Sequence, residues 1–211
     1  MSDTESIVWR YSESTVSYLN VKNIPILAIA GPSGAGKTYL ATYLESKYPE
    51  FRIIRNYTTR KKRKTDDASQ FEYISSDLFS SMQENNKFFL SRYKEFPWYG
   101  YSADDLMAIV NAKKIPIFMF RHSGTNTICQ LIKNCYVIVI DTDISISTIQ
   151  SRDIEHLATI ESSRRCYDSI NDSVNKLRSD HVLKIFNNYN ESIKINSNLK
   201  MFCQRIIDDR V

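Results

Sequence analysis

Gly31-Pro32-Ser33-Gly34-Ala35-Gly36-Lys37-Thr38 reads G-x-x-x-x-G-K-T, and three of the chain's five glycines fall within this stretch. That spacing is the pattern of a phosphate-binding loop. Its flanks agree. Ile24-Pro25-Ile26-Leu27-Ala28-Ile29-Ala30 is a short apolar run of the kind that forms a buried strand. Thr38-Tyr39-Leu40-Ala41-Thr42-Tyr43-Leu44-Glu45-Ser46-Lys47 reads as the helix that follows. Glycines let the backbone turn inward without Cβ clashes, so successive N–H groups aim at one point. The helix N-terminus adds partial positive charge there. Gly31, Ser33, Gly34, Ala35 and Gly36 are the expected cradle. Lys37 is placed to bridge the β- and γ-phosphates of a bound nucleotide, and the Thr38 hydroxyl to hold Mg2+.

The bulk of the chain is compatible with such a site. Its 211 residues suit one domain with a small inserted subdomain, and 42% apolar residues suffice for a substantial core. The net charge of +4 is too mild to point to a nucleic-acid partner. The positive charge is nonetheless uneven: Arg55, Arg60, Lys61, Lys62, Arg63 and Lys64 occur with no acidic residue among them. Cys129, Cys135, Cys166 and Cys203 lack C-x-x-C pairing, so no zinc site is suggested. Cys129 and Cys135 read as core thiols, and a reducing cytoplasm is the expected location. Met1-Ser2-Asp3-Thr4-Glu5-Ser6 is acidic and polar, unlike a secretion signal, and no apolar run approaches membrane-spanning length.

Strand and helix patterns alternate outward from the loop. Strands are predicted at 51–56, 71–74, 88–93, 115–120, 136–140 and 182–186. Helices are predicted at 78–85 behind Ser76-Asp77, at 103–113 behind Ser102, and at 126–133. Further helices are predicted from 144 to 151, from about 163 to 179, and within 191–210. Pro97-Trp98-Tyr99-Gly100-Tyr101 reads as an aromatic loop. The continuously apolar Tyr136-Val137-Ile138-Val139-Ile140 is what a parallel sheet requires. The fold class is therefore α/β, with a parallel central sheet flanked by helices. Residues 1–23 form an N-terminal extension to a domain of residues 24–211. Residues 57–102 break the rhythm and read as an insertion at the sheet's carboxyl edge, where ligands bind in such folds.

The chain resembles guanylate kinases, a branch of the P-loop nucleoside monophosphate kinases. The resemblance is carried by the loop, by Tyr57-Thr58-Thr59-Arg60-Lys61-Lys62-Arg63, by Asn86-Lys87-Phe88, by Tyr99-Gly100, and by Val182-Leu183-Lys184-Ile185-Phe186-Asn187-Asn188. It implies a P-loop NTPase fold with an acceptor-binding insertion and an arginine-bearing lid at about 152–165. It implies transfer of the ATP γ-phosphoryl group to a nucleoside monophosphate, by default GMP to GDP, with Mg2+ and no membrane or nucleic-acid partner. Arg60 and Arg63 match the family's clamp on the acceptor phosphate, which suits the bidentate grip of guanidinium groups. Lys61, Lys62 and Lys64 read as solvent-facing. Tyr99 matches a tyrosine that touches the same phosphate, and is equally suited to packing. Asp66 sits where the family carries an acidic residue, and also suits a turn. Arg152, Arg164 and Arg165 are the lid candidates, and Asn187 with Asn188 lies where the family approaches adenine.

The guanine-reading half departs from that pattern. Leu90 stands where the family's glutamate accepts from guanine, Tyr101 where it has a serine, and Phe71 where it has a tyrosine. Met119, Phe120 and Arg121 stand where it places aspartates. Ser102, Glu72, Glu95, Asp104, Asp105, Asp141 and Asp143 are the nearby polar substitutes. The phosphate-gripping half is intact while the base-reading half is altered, which also suits another nucleotide or a ribose phosphate as acceptor. A binding module that has lost catalysis is a further reading, and the intact loop argues against it.

Overall fold

The computed structural model describes residues 9–63, 66, 70–93, 96–141, 160–187 and 197–210. In chain order, β1 (Trp9–Tyr11) precedes α1 (Glu13–Val21), whose first turn is capped by the Ser12 hydroxyl. Then come β2 (Ile26–Ala30), α2 (Lys37–Lys47), β3 (Phe51–Ile53), β4 (Asn56–Thr58) and β5 (Phe71–Tyr73). Next are α3 (Ser76–Glu84), β6 (Phe88–Arg92), β7 (Tyr99–Ser102), α4 (Ala103–Asn111), β8 (Ile115–Phe120) and α5 (His122–Leu131). β9 (Cys135–Asp141), α6 (Ile160–Val174), a short 3-10 helix (Ser179–His181), β10 (Val182–Phe186) and α7 (Ser197–Asp208) complete the order.

One sheet is wholly parallel, in the order β10-β9-β2-β8-β3. Every residue of β2 is buried, as a central strand covered on both faces requires. Alternation splits its side chains. Leu27 and Ile29 join Leu40 and Leu44 of α2 and Phe202 and Ile206 of α7. Ala28 and Ala30 face Leu106 of α4, Ile128 of α5 and Cys166 and Ile170 of α6. The chain after β2 moves to one side of it and β9 lies on the other. The phosphate loop therefore opens at the switch point of the sheet.

The second sheet has the order β1-β6-β7-β4-β5 and is antiparallel except between β4 and β5. Trp9–Tyr11, from the N-terminal extension, is its edge strand, paired with Leu90 to Arg92. Several sequence boundaries shift. The expected strand at 51–56 is two strands, because the chain leaves the parallel sheet after Ile53 and enters the other at Asn56. Tyr99 and Tyr101 belong to a strand, not a loop, in keeping with the strand preference of aromatics. α3 starts behind Ser75, whose hydroxyl accepts from the Leu78 amide, rather than behind Ser76-Asp77. α5 starts at His122, ahead of the expected 126, with no side-chain cap to signal it. The helix expected at 144–151 lies outside the described residues. Cys135 is buried and Cys129 packs against the core.

Candidate active site

β2 delivers the chain to Gly31 at the carboxyl edge of the parallel sheet. A Cβ there would press on the Ile140 carbonyl oxygen at 3.1 Å and on the Ala35 methyl at 3.2 Å, so the loop lies this close to β9 because it starts with glycine. Gly34 and Gly36 have φ of 80° and 95°, the left-handed region that side chains disfavour. Gly36 caps α2, no side chain accepts from the first-turn amides, and no acidic residue lies in that turn. Those donors suit an anion in the loop. Lys37 Nζ donates to the Gly31 and Pro32 carbonyls at 3.0 and 2.6 Å. Burial, and then the Arg121 charge, lower its pKa to about 8 against a smaller opposing effect of Cys166. The Thr38 hydroxyl donates to Gln70 Oε1 at 2.9 Å.

Asn187 follows β10, and its Nδ2 donates to the Ala35 carbonyl at 3.0 Å while its N–H donates to the Asp141 carbonyl at 2.7 Å. The side chain braces the loop from beneath. Asn188 lies outside the described residues. Asp141 ends β9 with its side chain exposed, and Asp143 is not among the described residues.

Arg60, Asp66 and Tyr73 form one cluster at the β5 edge of the second sheet. Arg60 Nη1 and Nη2 donate to the two Asp66 oxygens at 2.7 and 2.8 Å. Asp66 also accepts from the Arg63 amide at 2.7 Å and from the Tyr73 hydroxyl at 2.5 Å. The Arg60 guanidinium lies 4.5 Å from the Phe71 ring centroid and 5.4 Å from that of Tyr73. Burial opposes the charge on Asp66, but the bonds from Arg60, Tyr73 and the Arg63 amide outweigh it and hold the carboxyl well below the usual carboxylate range. Tyr73 escaped the sequence reading, yet its signal was there: it stands two residues from Phe71 on the same strand face. Tyr99 is half-buried, with the Arg92 guanidinium 5.5 Å from its ring centroid, and is close enough to Arg60 to interact with its charge. Lys61 and Lys62 are exposed.

Of the altered base-reading positions, Leu90, Tyr101 and Phe120 are built into the core, Phe71 and Met119 are partly buried, and Arg121 is exposed. Leu90 is fully buried. Tyr101 is buried against Phe118 and Phe120, at centroid distances of 5.0 and 5.3 Å, and donates to the Met119 carbonyl at 2.8 Å. The hydroxyl of Ser102, the next residue, caps α4 by accepting from the Asp105 amide at 3.2 Å. Asp104 pairs with Lys87, Glu72 with Arg55, and Asp105 accepts from the Tyr57 hydroxyl. Of the lid arginines, Arg152 lies outside the described residues, Arg164 falls within α6, and Arg165 is exposed on that helix. Among the described residues no group of three or more His, Cys, Asp or Glu could hold a metal. No described helix is long and apolar enough to cross a membrane.

No family model matches the chain. Curated guanylate kinases match parts of it. That of Mycoplasmopsis pulmonis is 30% identical over 118 residues, which is 55% of this chain and 60% of the relative. That of Helicobacter pylori is 32% identical over 94 residues, 44% of this chain and 46% of the relative. That of Helicobacter hepaticus is 27% identical over 141 residues, 64% and 70% of the two lengths. The chain thus spans 60% and 46% of the lengths of the first two relatives. The crystal structure of guanylate kinase from Anaplasma phagocytophilum matches with a TM-score of 0.57 over 86% of this chain and 85% of that one, at 14% identity. At that identity the likeness establishes the fold alone.

Proposed function

We propose, from the premise that this chain is guanylate kinase-like in sequence and fold, that it transfers the γ-phosphoryl group of ATP to a small acceptor that already carries a phosphate. The observation that carries the reading is a juxtaposition. The Thr38–Gln70 hydrogen bond of 2.9 Å ties the phosphate loop to the second sheet one residue before Phe71, against whose ring Arg60 lies. On this reading the donor cradle and the acceptor clamp would lie side by side.

The residues fit the reactants. Gly31, Ser33, Gly34, Ala35 and Gly36 would hold the triphosphate by backbone N–H groups, and Asn187 keeps that cradle in shape. Lys37 would leave its own loop carbonyls for the β- and γ-phosphates. Thr38 would be the protein ligand of Mg2+, an ion that keeps most of its water and needs few protein groups. When bound, Mg2+ would neutralise charge on the phosphate oxygens as it develops. Arg60 and Arg63 would fix the acceptor phosphate so that one of its oxygens lies in line with the γ-phosphorus. The new P–O bond forms as the bond to the bridging oxygen breaks, and ADP departs with that electron pair. Asp66 and Tyr73 hold Arg60 in place before any acceptor arrives, which lowers the cost of ordering it. Arg152, Arg164 and Arg165 are the proposed lid cations.

GMP is the default acceptor of the resemblance, and the buried Leu90 and Tyr101 favour a different one. ADP release should be measured with Mg-ATP across nucleoside monophosphates and sugar phosphates. Acceptor-dependent release that Lys37→Ala abolishes is the expected result. Tight Mg-ATP binding with no transfer to any acceptor would instead mark a nucleotide-binding module.

A further inference from the structure

Gln70 joins the second sheet to the phosphate loop. It stands directly before β5, and its carbonyl accepts from the Asn56 N–H at 2.9 Å, which fixes its backbone to β4. The residue is enclosed, at 2% exposure. Its Oε1 accepts from the Thr38 hydroxyl at 2.9 Å, so the carboxamide end of the side chain lies at the first turn of α2. The nitrogen of the same carboxamide is buried and has no hydrogen-bond partner among the described residues.

A primary amide nitrogen carries two N–H donors and accepts nothing. Enclosed and unpaired, it costs free energy that an entering acceptor would return. Its surroundings select an anionic oxygen as that acceptor. Gly36 caps α2 without a side chain on the first-turn amides, and no acidic residue lies in that turn. Lys37 Nζ adds a cation to the same loop. An uncharged donor also suits a place beside Thr38. An arginine there would oppose a divalent ion on the Thr38 hydroxyl, and a carboxylate would oppose a phosphate. The backbone bond to Asn56 and the side-chain bond to Thr38 set the amide in place before any ligand arrives, which lowers the cost of using it.

We infer that Gln70 is a further substrate-binding residue, whose Nε2 donates to an oxygen of the γ-phosphoryl group. The inference rests on the kinase reading for the identity of the ligand, and deepens it: the second sheet would sense whether the bound nucleotide carries a third phosphate. Lys37 has to leave the Gly31 and Pro32 carbonyls for that ligand, and the same entry brings an oxygen to the enclosed amide.

Calorimetry with Mg-ADP and with the Mg complex of a non-hydrolysable β,γ-imido analogue of ATP tests this without requiring transfer. The quantity read is the ratio of the two affinities. Gln70→Met keeps the length of the side chain and removes the donor. It should lower the preference for the triphosphate about tenfold, the scale of one hydrogen bond to a charged group, with Mg-ADP affinity within about twofold. Gln70→Glu is the second variant. It keeps an acceptor for Thr38, and with it the tie between loop and sheet, and should lose the preference at least as strongly. Thermal midpoints show that both fold. Met also frees the Thr38 hydroxyl, so the substitution is repeated in a Thr38→Ala background, where no hydroxyl remains to orient. The same tenfold loss there marks a direct contact. A loss that vanishes in that background means that Gln70 acts only by turning Thr38, and overturns the inference. An unchanged ratio with a lower thermal midpoint makes Gln70 a structural brace, and overturns it too. Selective loss of triphosphate binding, in a chain that releases no ADP with any acceptor, would keep the inference and sink the transfer reading instead.

Discussion

Lys37 donates to two carbonyls of its own loop, which keeps its charge at the cradle. Lys37→Ala should lower turnover by about a hundredfold or more, the scale of losing a main electrostatic contact to a transferring group, as measured by steady-state ADP release. Arg60→Ala should raise the acceptor KM or lower kcat while Mg-ATP affinity holds; weaker ATP binding with unchanged acceptor kinetics would contradict the clamp. Asp66→Ala leaves a guanidinium with only 9% side-chain exposure facing no carboxylate, and should cost about 3 kcal/mol in denaturant unfolding. Asp66 is depressed in the fold, so its contribution is full above the unfolded carboxylate range, near pH 4, and fades as pH falls below it. Leu90→Glu should not restore guanine binding; it buries a carboxylate among apolar neighbours and should destabilise by roughly 3 kcal/mol.

At the scale of elements, the loop, its strand and its helix were legible because the signal is local: glycines at fixed spacing between an apolar run and a helical one. The cluster around Arg60 was only half legible. Arg60, Arg63 and Asp66 stand close in sequence, but Gln70 meets Thr38 across 32 positions, and no periodicity announces such a contact. The start of α5 was missed because Arg121 offers no capping side chain, and β7 because proline, tryptophan and glycine together read as a turn. The short helix before β10 supplies a titration. His181 is buried with its ring stacked 4.1 Å from that of Tyr136. Burial is the main cause that lowers its pKa, so the fold favours the neutral ring and stability falls as pH drops below about 6.5. The thermal midpoint should decline between about pH 7 and 5, and His181→Gln should flatten that slope.

For the whole molecule, the parallel order of the central sheet followed from alternating strand and helix patterns, and the second sheet did not, because half of its pairings are long-range. β1 is the clearest case. Three residues of the N-terminal extension close the edge of β6, and Ser12 donates its N–H to the Phe89 carbonyl at 2.9 Å. Removing residues 1–11 should expose that edge, lower the thermal midpoint and promote self-association seen by light scattering. Mg-ATP at a hundredfold excess over its Kd should stabilise the intact chain by about 2.7 kcal/mol, and Lys37→Ala should forfeit most of that gain.

The hydroxyl of Thr38 has a single hydrogen, and that hydrogen points to Gln70. Its lone pairs are thereby turned outward by a residue next to the second sheet. On the proposed reading, parting the loop from that sheet would free the hydroxyl to spin, so the hold on magnesium would gauge how near the two stand.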